Sequence, residues 1–336
     1  MNLGVSSRVI LSSPKDKMNK PQSRSATSQG YAIALAATIL WSTTGILISY
    51  LNRHYQLPSL VLAFWRDLFV SAGMIAGLLL LSRTRFRLAR SQWGFMVFYG
   101  LTLAIFNTMW TFSVQYNGAA VATVLAFSSP AITALLSWLI YQEQFSTVKI
   151  TSILMSGAGT ILVSGAVNPD TWQLNPWGII FGLLTGFFFA AYNLEGKHAA
   201  DQSIDSWTAL LYSFMIAAIF LLLFNAGADL VMGKRPFTDL MWLGNSLSGW
   251  GLLFFLGIAP TLGGFGLYTL SIRYLSPTVA NLIATLEPAL TAVWAYFLFG
   301  EMLSREQWIG SFFLFLGIML LRALEKPSPG EVTEMP

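Results

Sequence analysis

The chain has 336 residues, of which 55% are hydrophobic and only 10% are charged, and it contains no cysteine. Soluble domains carry roughly 25% charged residues, so this composition excludes an ordinary water-soluble protein and indicates a lipid bilayer as the main solvent. The lack of cysteine excludes disulfides, thiolate metal sites and cysteine nucleophiles.

The first 30 residues are polar and hold five basic side chains but no long apolar run. They therefore do not form a cleaved secretory signal. Pro14, Asp16 and Pro21 disfavour the amphipathic helix of an organelle transit peptide. We predict a disordered cytosolic tail over residues 1–30.

The apolar residues that follow fall into ten runs of roughly 18 to 25 residues, long enough to cross a hydrocarbon core of about 30 Å. A short connection at 115–117 separates the third run from the fourth. The ten predicted spans are 31–51, 58–82, 93–114, 118–140, 147–166, 177–197, 206–228, 250–271, 277–299 and 305–324.

Basic residues sort by side of the membrane. Of the 19 Lys and Arg residues, 14 lie in the tails and loops of one side, 4 lie on the other side, and Arg66 lies inside a span. By the positive-inside rule this distribution predicts that both termini are cytosolic. The net charge of +4 therefore reflects topology, and no nucleic-acid partner is expected.

Residues 110–143 and 268–301 repeat one another at an offset of 158 residues, with 11 identities in 34 positions. The same offset aligns Pro130 with Pro288 and Gly159 with Gly317. We interpret this as an internal duplication. Repeats in an apolar chain are typical of secondary transporters.

Each predicted repeat holds five spans, an odd number, so the second repeat enters the membrane from the opposite side. The predicted fold is an all-α polytopic membrane protein of ten transmembrane helices in two inverted five-helix repeats, which is the arrangement needed for alternating access. The predicted divisions are a tail at 1–30, repeats at 31–166 and 177–324, a linker at 167–176, and a cytosolic tail at 325–336.

Three stretches carry a family resemblance: FWRDLF at 64–69, SPAITALLSWLIYQE at 129–143 and EPALTAVWAYFLFGE at 287–301. This pattern resembles the EamA-type members of the drug/metabolite transporter superfamily. The first repeat departs from it with Gln142 where glycine is usual, and the second repeat has no arginine to mirror Arg66. The resemblance implies a carrier in a bacterial-type plasma (inner) membrane.

The resemblance also places spans one, three, four, six, eight and nine around a central cavity. Polar and aromatic residues within those spans, together with Arg66, are the candidate cavity residues. They are Trp41, Thr44, Arg66, Asn107, Trp110, Thr123, Ser128, Tyr192, Asn193, Tyr268 and Asn281.

Two charged residues inside spans have alternative interpretations. Arg66 is either a ligand for a carboxylate or phosphate of the substrate or a structural partner of an acid. Asp67 adjoins it but points about 100° away on a helix, so helical spacing does not make it the partner. Glu287 is either a proton carrier that couples transport or the buried counter-charge of Arg66.

Prolines and glycines within spans free backbone groups or allow bending, so they mark hinges or cavity walls. The candidate hinge residues are Pro130, Pro260, Gly263, Gly264 and Pro288.

No Walker motif or paired intramembrane acids occur, and neither His54 nor His198 forms an H-E-x-x-H motif. We therefore expect neither an enzyme nor ATP-driven transport, and no metal or cofactor. A channel explains broken, duplicated helices less well than a carrier. The predicted function is secondary active or facilitative transport by alternating access. Export of small organic metabolites such as amino acids is the first expectation, and transport or exchange of phosphorylated or nucleotide-linked sugars is the alternative. The expected partners are a small-molecule substrate, lipid and protons.

Overall fold

The computed structural model describes residues 24–81, 87–142, 146–169, 175–299 and 304–324. Within these residues the backbone is helical, with short turns between helices and no strand. The predicted tails lie almost wholly outside the described residues, as do Glu143 and Glu301.

Thirteen α-helices form in the described part of the chain, together with one short 3-10 turn at Arg90–Gln92 and one π-helical turn at Gly257–Leu262. The α-helices are α1 Arg24–Trp41, α2 Thr44–Tyr55, α3 Ser59–Leu81, α4 Trp93–Ala126, α5 Ser129–Tyr141, α6 Thr147–Val163, α7 Pro176–Asp201, α8 Ser206–Val231, α9 Leu247–Leu256, α10 Gly263–Ser271, α11 Pro277–Ala284, α12 Glu287–Phe299 and α13 Arg305–Leu324.

Seven helical stretches of the described residues are long and apolar enough to cross a membrane: Thr27–Asn52, Ser59–Gly77, Arg90–Ser113, Val124–Tyr141, Pro176–Asp201, Ser206–Val231 and Leu247–Ser271. The other three predicted spans are also helical. They correspond to α6, which has 17 residues, to α11 with α12, which a turn separates, and to α13. A total of ten spans therefore stays a prediction.

The connection predicted at 115–117 is wrong as a loop, because α4 runs through it without a break. Yet Ser113 and Leu125 border the same glycine of α7. A methyl group on Gly182 would lie 2.8 Å from Ser113 Oγ and 2.6 Å from Leu125 Cβ. Twelve residues of straight helix span about 18 Å, so α4 must bend sharply between these two residues.

Contacts further along confirm the change of direction. Thr102, before the bend, donates a hydrogen bond to Glu195 (2.8 Å), and Tyr141, at the end of α5, donates one to the carbonyl oxygen of Leu194 (3.3 Å). The part of α4 before the bend, and the part after it together with α5, therefore run along α7 in opposite directions. Within them, Thr102 and Tyr141 contact neighbouring residues of α7.

The turns between helices follow the sequence repeat. Residues 127–128 separate α4 from α5, and residues 285–286 separate α11 from α12, an offset of 158. Pro130 and Pro288 therefore lie in the first turn of a new helix, where the missing N–H is not needed, and not inside a continuous span. Pro260 lies inside the π-helical turn, and Gly263 and Gly264 begin α10 directly after it.

Helices α6 and α13 cross closely at small residues. A methyl group on Gly159 would lie 2.7 Å from the carbonyl oxygen of Gly310. Seven residues away along each helix, Ser152 Oγ of α6 donates to the carbonyl oxygen of Gly317 of α13 (2.8 Å). Small residues allow this approach of backbones, as is typical of helix contacts in membranes.

The largest buried cluster joins both repeats and is rich in aromatic rings. It brings Tyr99 of α4, Tyr192 of α7, Phe214 of α8 and Tyr268 of α10 together, and each of these side chains is at most 1% exposed. The centre of the molecule is therefore formed by α1, α3, α4, α7, α8, α10 and α11.

Candidate substrate site

Trp41 ends α1 at the first helix break and faces the second repeat. Its ring centroid lies 4.8 Å from those of both Phe265 and Tyr268 and 6.3 Å from that of Phe189. Gly264 lies against its edge, since a methyl group there would be 2.5 Å from Trp41 Cδ1. Gly264 therefore has a packing role at this position whatever its role as a hinge.

The break after Trp41 is held by the second repeat. Trp294 Nε1 donates to Ser42 Oγ (2.9 Å), and Thr291 Oγ1 donates to the Ser42 carbonyl oxygen (2.9 Å). Both donors lie on α12, which begins directly after the break at residues 285–286. Broken helices of the two halves thus meet beside Trp41.

Polar atoms near this point are buried without hydrogen-bond partners. Tyr268 donates to Asn193 Oδ1 (2.9 Å), but Asn193 Nδ2 has no partner in the described structure. The same holds for Trp41 Nε1 and for Thr44 Oγ1. An unpaired buried polar group costs about 1–3 kcal/mol, so these atoms are candidates to bind a substrate.

Arg66, in contrast, belongs to a closed polar network. Its Nε lies 3.3 Å from Asp67 Oδ1, and its Nη2 donates to Asn107 Oδ1 (2.5 Å). Asn107 Nδ2 donates in turn to Asp67 Oδ2 (2.8 Å). We call Arg66, Asp67 and Asn107 the arginine triad; all three side chains are buried.

The triad corrects two expectations. The counter-charge of Arg66 is Asp67 and not Glu287, because the long arginine side chain turns back toward its neighbour despite the 100° helical separation. Asn107 uses both its amide oxygen and its amide nitrogen within the triad. The geometry thus matches the structural interpretation of Arg66.

Asn281 connects the two repeats. Its Nδ2 donates to Thr133 Oγ1 (2.9 Å) and lies 3.2 Å from Ser129 Oγ. Ser128 donates to the carbonyl oxygen of Leu125 (2.7 Å) and so satisfies the helix break beside it. These two predicted cavity residues therefore bond within the protein in this conformation.

The remaining predicted residues are less constrained. Trp110 is half-buried on α4, and the Thr123 side chain is outside the described part. Glu287 begins α12 and is half-buried, and no hydrogen bond or ion pair joins it to another described residue.

Sequence reasoning missed Glu195, which lies on α7 and is buried. The sixth span was predicted to end at 197, which would place this acid at the membrane surface, but α7 continues to Asp201. The signal that could have found it is the uninterrupted helical pattern beyond Lys197.

A groove of about 370 Å³ opens between α2 and α9, away from the Trp41 site. It is lined by Ile46, Leu47, Tyr50, Tyr55, Ser248 and Leu252. None of the predicted cavity residues borders it.

The sequence model of the EamA-like transporter family matches the chain twice, at residues 28–165 and 176–323. The chain belongs to the EamA-like transporter family. The two matches cover both halves of the internal duplication, so the predicted resemblance is confirmed. The protein is accordingly an integral membrane transporter.

Similar proteins from other organisms are also described as transporters. The chain is 24% identical to an uncharacterized transporter, YwfM, of Bacillus subtilis, covering 86% of this chain and 92% of the relative. It is 23% identical to an uncharacterized inner membrane transporter, YicL, of Salmonella typhimurium, covering 88% and 96%. It is also 23% identical to an S-adenosylmethionine uptake transporter of Rickettsia bellii, covering 82% and 86%.

A solved crystal structure of a protein superposes on this fold with a TM-score of 0.72 and 17% identity, covering 87% of this chain and 96% of the other. This similarity concerns the fold.

Proposed function

We propose that this transporter is a secondary carrier that moves a small amphipathic organic molecule by alternating access. The observation that carries this proposal is the meeting of helix breaks from both repeats at Trp41, where buried polar atoms lack partners. Irregular backbone inside a membrane is tolerated where it borders a cavity or a binding site.

The crossing of α6 and α13 supports an inverted pair of repeats. By the offset of 158, Gly159 of the first repeat corresponds to Gly317 of the second, and Gly310 of the second corresponds to Ser152 of the first. The contact between Gly159 and Gly310 therefore has an equivalent contact between Gly317 and Ser152, and both contacts are present. The two helices run antiparallel there, because the residue number rises along one as it falls along the other. A two-fold axis that exchanges antiparallel helices is perpendicular to them, and so lies in the membrane plane.

The substrate class follows from the side chains at the site. Aromatic faces and neutral polar atoms suit an amphipathic molecule of amino-acid size. A phosphorylated or nucleotide-linked sugar is disfavoured, because Asp67 already neutralises Arg66. The names of relatives include uptake of S-adenosylmethionine and give no support to amino-acid export, so the direction of transport is part of the test.

The test is counterflow in proteoliposomes with labelled amino acids, S-adenosylmethionine and a sugar phosphate. Saturable exchange of one class, weakened in Trp41→Phe, is expected because this ring borders the site. Trp308→Phe is the matched control, since Trp308 is 66% exposed on α13. Exchange of the sugar phosphate alone would favour the alternative, and equal kinetics in both variants would contradict the site.

Orientation is tested in the same protein. We propose an inner-membrane location with both termini cytosolic, supported by the 14-to-4 distribution of basic residues. Because the chain has no cysteine, single cysteines in the 232–246 loop and at 87–89 can be labelled without removing native ones. The first is expected to react only from outside and the second only from inside.

A further inference from the structure

Glu195 is a buried acid that the Trp41 site does not use. It is 9% exposed on α7, and its Oε1 accepts a hydrogen bond from Thr102 Oγ1 of α4 (2.8 Å). Its Oε2 is buried and has no hydrogen-bond partner in the described structure. A neutral hydroxyl is thus the one hydrogen-bond donor that the described residues offer this carboxyl.

No described cation pairs with Glu195. Lys197, two residues further along α7, pairs with Asp201 (3.4 Å). Arg273, on the turn after α10, lies 3.7 Å from Asp205 at the start of α8. The neighbouring basic groups are therefore already associated with other acids.

His198, one turn further along α7, bonds Gln202 and packs its ring against Phe95. The other titratable side chains around Glu195 are phenols. Tyr99 of α4 and Tyr192 of α7 interact electrostatically with its carboxyl, and Tyr141 of α5 donates to the adjacent Leu194 carbonyl oxygen. Phenols are neutral near pH 7. Helices α8 and α11 also pack on α7, but the acids of α8 lie at its ends, at Asp205 and Asp229, and α11 has no charged residue.

An ionised carboxylate buried without a cation costs several kcal/mol, whereas a carboxylic acid does not carry this penalty. Resting on the transport function proposed above, we propose that Glu195 is a proton-binding site that couples transport to a proton gradient. The proton adds to the carboxylate in the conformation seen here and leaves to water as the carboxylate is exposed.

Glu195 lies near the end of the molecule where the turn between α10 and α11 packs against α1. The adjacent Gly196 lies against Tyr99 and against Ile272, which begins the turn between α10 and α11. The same turn closes on α1, since a methyl group on Gly30 would lie 2.6 Å from Tyr274 Cβ and 2.9 Å from Leu275 Cγ. Separation of α1 from this turn, at the predicted cytosolic end, would admit water toward Glu195.

The first measurement is infrared difference spectroscopy of the full-length protein in lipid during a pH titration. A carbonyl band of a protonated carboxyl is expected in wild type and is expected to be lost in Glu195→Gln. Asp239→Asn is the matched control, because Asp239 is paired with Lys234 in an exposed loop and should leave this band unchanged. Glu287→Gln removes the other acid without a described partner inside a span, so it identifies a carbonyl band that belongs to Glu287 and not to Glu195. Thr102→Val should shift the band to higher frequency, since the acceptor oxygen loses its donor.

The second measurement follows the conformation, using Leu275→Cys as the one cysteine in the chain. Its maleimide labelling rate is divided at each pH by the rate of the same cysteine in the denatured protein, because the thiolate is the reacting species and its fraction also rises with pH. This ratio should rise with pH by at most about tenfold per pH unit, since one proton is exchanged. Combining Glu195→Gln with Leu275→Cys should remove this dependence on pH, and combining Glu195→Asp with Leu275→Cys should retain it.

The inference is overturned if the protonated-carboxyl band and the pH dependence survive Glu195→Gln, or if both follow Glu287→Gln instead. Should Glu195→Gln fail to fold, an unshifted band in Thr102→Val would overturn it as well. Neither measurement needs a substrate. Failure of counterflow with a normal Glu195 titration would therefore count against the proposed transport function and not against the proton site.

Discussion

The arginine triad and the Glu195 site are two buried acidic regions with opposite pairing. Asp67 is fully buried between Arg66 and Asn107, and its carboxylate is bonded at both oxygens. Glu195 is almost as buried but has one neutral donor and one unpartnered oxygen. The comparison teaches that two acids of similar burial can differ fully in their pairing, and the proton-binding role proposed for Glu195 depends on this difference.

The largest expected effect comes from neutralising Asp67, with Glu195 neutralised for comparison. Asp67→Asn leaves Arg66 buried without a counter-charge and should lower the free energy of unfolding by about 3–5 kcal/mol. Glu195→Gln keeps the shape and an acceptor for Thr102, so its cost should be about 1 kcal/mol or less. Reversible unfolding in detergent measures both, and equal losses would break the comparison.

A smaller loss is expected from the third member of the triad. Asn107→Ala removes one hydrogen bond to each charged partner and should cost about 1.5–3 kcal/mol. The matched variant is Tyr268→Phe, which removes one donor to the neutral Asn193 and should cost about 1 kcal/mol. A larger loss in Tyr268→Phe would mean that the aromatic cluster, and not the triad, is the more tightly bonded region.

Removal of the donor to Glu195 should have a lesser effect on stability. Thr102→Val is nearly isosteric and deletes one hydrogen bond, so the expected loss is about 0.5–1.5 kcal/mol when Glu195 is protonated. The loss should grow at alkaline pH, where the carboxylate has no donor left. A constant loss over the pH range would indicate that Glu195 does not titrate, and would weaken the contrast with Asp67.

The smallest effect is expected at an exposed ion pair, which serves as the baseline. Lys234 Nζ donates to Asp239 Oδ2 (2.7 Å) in the loop after α8, and this hydrogen bond raises the pKa of Lys234. A raised pKa stabilises the fold below the ordinary lysine value and loses this contribution as pH rises through the folded-state pKa. Asp239→Asn should therefore change the melting temperature slightly at pH 7 and not at strongly alkaline pH.

Sequence periodicity and repetition predicted much of the fold. The offset of 158 residues located both the duplicated helix breaks and the Gly159–Gly317 correspondence, because covalent order is preserved between duplicated units. The connection at 115–117 was misplaced, since alanines at 119 and 120 favour helix and the chain reverses by bending.

Of the eleven cavity residues that the sequence predicted, the structure brings four together: Trp41, Tyr192, Asn193 and Tyr268. The sequence did not predict that Asp67 pairs with Arg66 or that Glu195 is buried. Both depend on the distance between side chains of different helices, or on the turn of a flexible side chain, which helical spacing does not define.

The sequence by itself determined the solvent, the helical class, the duplication and the family, because these follow from composition and from local or repeated patterns. Only the tertiary structure decided which buried charges are paired. The free energy of a charge in a membrane protein depends on the atoms within a few ångströms of it, and for Asp67 and Glu195 those atoms include side chains from a helix distant in sequence.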